Sequence, residues 1–91
     1  MDMQVVGPTR LEVWDRMKAL IEEIAKIPPE KIVESAAIDG ELRLESVQFV
    51  ELQVALEEEY KIELDPIQVV ELNQFGAIVD YVHRCAVDSA A

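Results

Sequence analysis

Apolar residues recur along this chain at helical spacing, and the polar residues between them mark where each helix starts and stops. Leu11, Trp14, Met17, Ile21 and Ile24 return near every 3.6 residues, which gives a first helix its inward stripe. Thr9 with Glu12 reads as a capping box, so this helix is predicted to open there and run to about Lys26. Pro28 and Pro29 end it, because neither ring can continue the hydrogen-bond ladder. Residues 33–44, "VESAAIDGELRL", read as a long connection with a turn at Asp39-Gly40 and apolar anchors at Ile38 and Leu42. A second helix is predicted from about Ser46 to Tyr60. Asp65-Pro66 opens a short helical segment through about Val70. Asn73 is expected to cap a last helix to about Ala86, with Phe75, Ile78, Val79 and Val82 on its core face. No segment keeps the alternation of a strand. The predicted fold is all-α, three principal helices and one short one with a long loop between the first and second. Residues 9–86 form the expected domain, preceded by an extension, 1–8, and followed by a tail, 87–91.

The second helix has two apolar faces. With Ser46 at zero and ~100° per residue, Phe49, Leu52, Leu56 and Tyr60 share an arc of roughly 80°. That is its core stripe. Val47, Val50 and Val54 form another stripe on the other side of Ser46, flanked by Glu51, Glu57 and Glu58. Burying those valines would drag Glu51 and Glu58 into low dielectric without partners. An exposed apolar strip with an acid rim, the pattern of a docking surface, is the better reading.

Composition narrows the partners. Among 91 residues, 19 Asp and Glu against 8 Lys and Arg give a net charge of -11, which argues against nucleic acid, whose phosphates need clustered cations. It favours basic partner surfaces. No apolar run reaches the ~18 residues of a membrane span, and the start, "MDMQVVGP", has no signal-peptide pattern. A reducing cytoplasm is expected, since Cys85 stands alone and cannot make an internal disulfide, and the chain is expected to be a monomer. His83 and Cys85 are i, i+2 neighbours on different helix faces, so both read as ordinary helix residues.

Ser46 is the residue with chemical promise. Serine is a favoured N-cap and a cap needs no chemistry. Nucleophilic catalysis lacks a nearby His. A helix N-terminus is, however, a good seat for an attached phosphate, because free N–H groups and the positive end of the helix dipole face it. "SAAIDGELRLES" superficially resembles a calcium loop, but Ser35, Ala37 and Ser46 stand at its first, third and twelfth places, leaving too few oxygen ligands.

The run "ESVQFVELQVALEEEY" resembles the acyl carrier proteins, whose pattern is Asp-Ser-Leu at a loop-to-helix junction followed by V-E-L-x-x-A-L-E-E-E-F. "IPPEKI" and "AIVDYV" are similar to the family's end of helix one and its last helix, so the resemblance covers about residues 9–86. It implies a free-standing carrier of the four-helix acyl-carrier type, not an enzyme. Ser46 would carry 4′-phosphopantetheine, placed there by a phosphopantetheinyl transferase, and the arm's thiol would hold acyl groups as thioesters for fatty acid, polyketide or related lipid synthesis. It also implies that Val47, Val50, Glu51, Val54, Glu57 and Glu58 dock on basic patches of acyl-transferring and condensing enzymes. A peptidyl or aminoacyl carrier, or an acidic interaction module without a prosthetic group, are the alternatives.

Five positions depart from the family's pattern. Glu45 replaces its usual Asp and Val47 its usual Leu, Arg43 stands where Gly is common, and Phe49 is bulkier than usual. A fifth, Gln53, stands where an apolar residue is usual and where the family's acyl chain burrows. An unpartnered Gln53 amide there is expected to resist a long chain.

Overall fold

A computed structural model describes residues 7–90 as four α-helices joined by one long loop. Residues 1–6 of the expected extension and Ala91 of the expected tail lie outside the described residues. Helix α1 spans Arg10–Ala25, α2 Ser46–Tyr60, α3 Pro66–Leu72 and α4 Phe75–Ala90, with a single 3-10 turn at Pro29–Lys31. The four-helix expectation holds, and among the described residues no strand forms.

Thr9 caps α1 as predicted, its side chain accepting from the Glu12 N–H (3.1 Å) while Glu12 accepts from the Thr9 N–H (2.9 Å). The inward stripe needs correction. Val13, Met17, Leu20 and Ile21 are buried, Trp14 and Ile24 partly so, and Leu11 is 66% exposed. Leu11 lies ~120° round the helix from Met17, whereas Val13 and Leu20 lie within ~60° of it. Both α1 and α2 stop on a lysine in left-handed backbone, Lys26 (φ 58°) and Lys61 (φ 57°), each sending its N–H back to the carbonyl four residues earlier.

Helix α1 packs on α4 and on α2, and α3 packs on α4. At the centre, Trp14 meets Phe75 edge to face, with ring centroids 4.6 Å apart. Phe75, Ile78, Val79 and Val82 of α4 are buried as predicted.

The capping of α4 corrects the sequence reading. Asn73 ends α3 instead, with φ 62°. The first donors of α4 take carbonyls from the long loop: Phe75 N–H donates to Ala36 (2.8 Å) and Gly76 N–H to Glu34 (2.9 Å). Glycine suits that approach, since a Cβ at Gly76 would displace the exposed Glu34 carboxylate and stand a tight 3.2 Å from the Glu34 carbonyl oxygen. Arg10 ties the same corner together, donating to Asp80, to Glu34 (3.1 Å) and to the Gly76 carbonyl (3.3 Å). Helix α3 runs two residues beyond its predicted end and α4 four beyond, to Ala90.

Candidate functional site

Ser46 is placed by what the long loop does with its backbone. Ile38 N–H donates to both the carbonyl (2.8 Å) and the side-chain Oδ1 (3.1 Å) of Asn73, and Leu44 N–H donates to the Ile38 carbonyl (3.1 Å). Leu42, the expected anchor, is buried, and Ile38 partly so. The chain therefore reaches the start of α2 held to the junction of α3 and α4. Arg43 adopts φ 49°, left-handed backbone that favours glycine.

Glu45, and not Ser46, is the N-cap of α2. It has extended backbone (φ -79°, ψ 161°), and its N–H donates to the Gln48 side chain (3.0 Å). Ser46 is the first helical residue and is exposed. Its hydroxyl makes no hydrogen bond among the described residues, so a capping role does not occupy it. The first N–H groups of α2 have no intrahelical acceptors and lie at the positive end of the helix dipole.

Beside Ser46 the valine strip is open to solvent, with Val47 69%, Val50 55% and Val54 45% exposed. A shallow depression of about 270 Å³ is lined by Ser46, Val47, Val50 and Glu51. A larger open hollow of about 840 Å³ lies in the long loop among Lys31, Arg43, Glu30, Asp39 and Glu41. Its walls are of mixed charge and exclude Ser46. Leu52 and Leu56 are buried, and Phe49 and Tyr60 pack against the core from its edge. Burial, with a smaller contribution from Glu59, pushes the Tyr60 phenol up.

The acidic residues are not equivalent. Glu51 and Glu58 are exposed and make no ion pair among the described residues. Glu57 is partly buried and accepts the Leu64 N–H at 2.8 Å. Gln53 is also partly buried, and its amide is not stranded as expected, because Nε2 donates to the Leu64 carbonyl at 3.3 Å. Sequence reasoning missed Ile67 and Val70 on α3, 69% and 57% exposed. Their i, i+3 spacing was the available signal.

Family comparison matches the phosphopantetheine attachment site over residues 15–82. The chain belongs to the acyl carrier proteins. It is 33% identical to an acyl carrier protein of Saccharopolyspora erythraea over 86 residues, 90% of each chain. To that of Buchnera aphidicola it is 34% identical over 72 residues, 79% of this chain and 91% of the other. To that of Thermosynechococcus vestitus it is 29% identical over 73 residues, 80% and 90% of the two chains. The carrier takes phosphopantetheine and has no catalytic activity of its own. No helix of the described residues is long and apolar enough to cross a membrane.

Proposed function

We propose that Ser46 bears the 4′-phosphopantetheine arm, and that this carrier presents acyl thioesters to enzymes of fatty acid, polyketide or related lipid synthesis. The observation that carries the proposal is the position of Ser46. It is the first residue of α2, exposed, with its hydroxyl uncommitted among the described residues. A phosphodiester on that oxygen fits the start of α2, since it would face first-turn N–H groups and the positive end of the dipole.

In the loading step the Ser46 Oγ forms a bond to the pantetheine-bearing phosphorus of coenzyme A. The pyrophosphate bond breaks, adenosine bisphosphate leaves, and a base of the transferase takes the hydroxyl proton. The chain itself has only to offer the oxygen and stabilise the charge that stays. Once attached, the arm supplies a terminal thiol for thioester exchange.

Partner docking falls to the strip beside it. Val47, Val50 and Val54 offer apolar contact, while Glu51 and Glu58, with Glu57 at the edge, steer basic patches of acyl-transferring and condensing enzymes. A monomer in a reducing cytoplasm suits the lone Cys85. The test is intact mass after incubation with coenzyme A and a broad-specificity phosphopantetheinyl transferase. The wild-type chain is expected to gain one phosphopantetheine and Ser46→Ala none, with unchanged circular dichroism. A label on Ser35 or Ser89, or none on the wild type, refutes the assignment.

A further inference from the structure

Two side chains on the Ser46 face of α2 hold the segment that leads into α3. Advancing ~100° and ~1.5 Å per residue, Gln53 lies within ~20° of Ser46 and ~10.5 Å further along, and Glu57 lies within ~20° and ~16.5 Å along. Both reach one peptide segment. The Gln53 Nε2 donates to the Leu64 carbonyl (3.3 Å) and the Glu57 Oε2 accepts the Leu64 N–H (2.8 Å), each bond part-buried. The next N–H, of Asp65, donates to the Tyr81 hydroxyl on α4 (3.0 Å). Leu64 is itself buried. Three consecutive backbone groups entering α3 are therefore pinned, two to α2 and one to α4, while α3 finds its helix packing on α4.

We propose that Gln53 and Glu57 form a polar latch on Leu64 that closes the seam between α2 and the segment leading into α3 to the cargo. The class of cargo this selects is a short acyl group, or one with a polar body, that stays in water outside the bundle. The reasoning is local. A hydrocarbon chain tethered at Ser46 and folding back along its own helix face meets the Gln53 amide and the clamped Leu64 peptide. To enter it must part Leu64 from α2, leaving an amide, a carboxylate, a backbone N–H and a carbonyl without partners in a part-buried place. Gln53 and Glu57 act as positioning residues, since both work through Leu64.

This inference rests on the carrier reading, and its test separates the two. Butyryl and decanoyl forms are made from the acyl-coenzyme A thioesters with the same transferase, and intact mass records loading before anything else is measured. Cleavage of each thioester by hydroxylamine then reports access to the cargo. A chain spending nine-tenths of its time inside the bundle would be cleaved about tenfold more slowly. The wild-type decanoyl and butyryl forms are expected to differ by less than about twofold, because neither is sheltered. Gln53→Met, close in shape but without the donor, and Glu57→Leu are expected to slow cleavage of the decanoyl form several-fold and leave the butyryl form unchanged. Glu57→Gln keeps an acceptor for the Leu64 N–H and is expected to behave as wild type. Amide exchange at Leu64 should rise in Glu57→Leu and stay slow in Glu57→Gln, which tests the latch even in unloaded protein. Several-fold protection of the wild-type decanoyl form overturns the proposal, and that comparison stands even if a variant fails to fold. Identical decanoyl cleavage in wild type, folded Gln53→Met and folded Glu57→Leu also overturns it. A chain that does not load at all removes the carrier reading and the cargo inference with it, an outcome visible in the mass alone.

Discussion

Glu57, Glu58 and Glu59 are consecutive in α2, and the structure gives each a different environment. Glu57 accepts the part-buried Leu64 N–H at 2.8 Å. Glu59 pairs with Arg16 on α1 at 3.2 Å, across side chains 42% and 44% exposed. Glu58 is exposed and makes no ion pair among the described residues. Single replacements by Ala separate the three. Glu57→Ala leaves a part-buried donor without an acceptor, at a cost of about 2 kcal/mol within the usual range of 1–3. Glu59→Ala removes a solvent-screened pair, for which about 0.5 kcal/mol is appropriate. Glu58→Ala stays within about 0.5 kcal/mol of wild type. For a domain of this size 1 kcal/mol moves the melting temperature by roughly 4–8 °C. The expected drops are therefore about 8–16 °C for Glu57→Ala and about 2–4 °C for Glu59→Ala, with Glu58→Ala inside about 4 °C of wild type. Thermal and urea unfolding followed by circular dichroism measure this, and an unchanged urea slope keeps the comparison on stability alone.

The functional order should run the other way. Glu58→Lys is expected to fold normally and to slow loading by a transferase, whereas Glu59→Lys should disturb stability more than loading. If Glu57→Ala melts with the wild type, the Leu64 bond contributes nothing. If Glu58→Lys unfolds, the acid rim is structural and docking must be sought on another face.

Three further outcomes follow from particular residues. Glu51→Lys changes the net charge by two, from -11 to -9, and should slow association with basic partners in a salt-dependent way without loss of fold, since exposed charges are screened over ~8 Å at physiological ionic strength; stopped-flow association at two salt concentrations checks it, and no rate change at low salt counts against docking there. The Glu41 carboxylate is held below its usual range, first by the Ala37 N–H (2.9 Å) and then by its own backbone N–H. Its stabilising contribution is therefore present above the unfolded pKa and lost as pH falls through the lower folded one, so urea midpoints of wild type and Glu41→Gln should converge on acidification. Lys26 is exposed at φ 58°, and Lys26→Gly should raise stability by up to about 1 kcal/mol in urea unfolding by removing a left-handed side-chain penalty; a loss would mean that the lysine side chain has a stabilising contact.

Much of the fold was legible because its signals are local. The Thr9 and Glu12 capping box, the double proline and the Asp65-Pro66 start are each decided within four residues, and each element begins or ends where they stand. Misreadings came where a distant segment supplied the partner. Asn73 has the composition of an N-cap, yet the loop carbonyls of Glu34 and Ala36 already meet the first donors of α4. With that need met, Asn73 closes α3 and holds Ile38. Leu11 shares the period of the core stripe only loosely, and nothing local says which edge of an apolar arc turns outward.

The candidate site divides along the same line. The openness of Val47, Val50 and Val54 could be read from the acids beside them, because carboxylates without partners keep a helix face in water. The partner of Gln53 could not be read, because it is a backbone carbonyl eleven residues on, and a carbonyl has no side-chain signature. The same amide that looked stranded from sequence is joined to Leu64 in the structure, and Glu57, grouped with the docking acids by its position, joins it there. Helix α2 thus turns Leu52 and Leu56 to the core and Val47 and Val54 to solvent. On the line below Ser46 it carries two polar side chains committed to Leu64. Only the first two of these faces have apolar periodicity. The third consists of polar residues whose bonds exist only after the segment leading into α3 has folded back on α2, which is why the sequence could place them but not pair them.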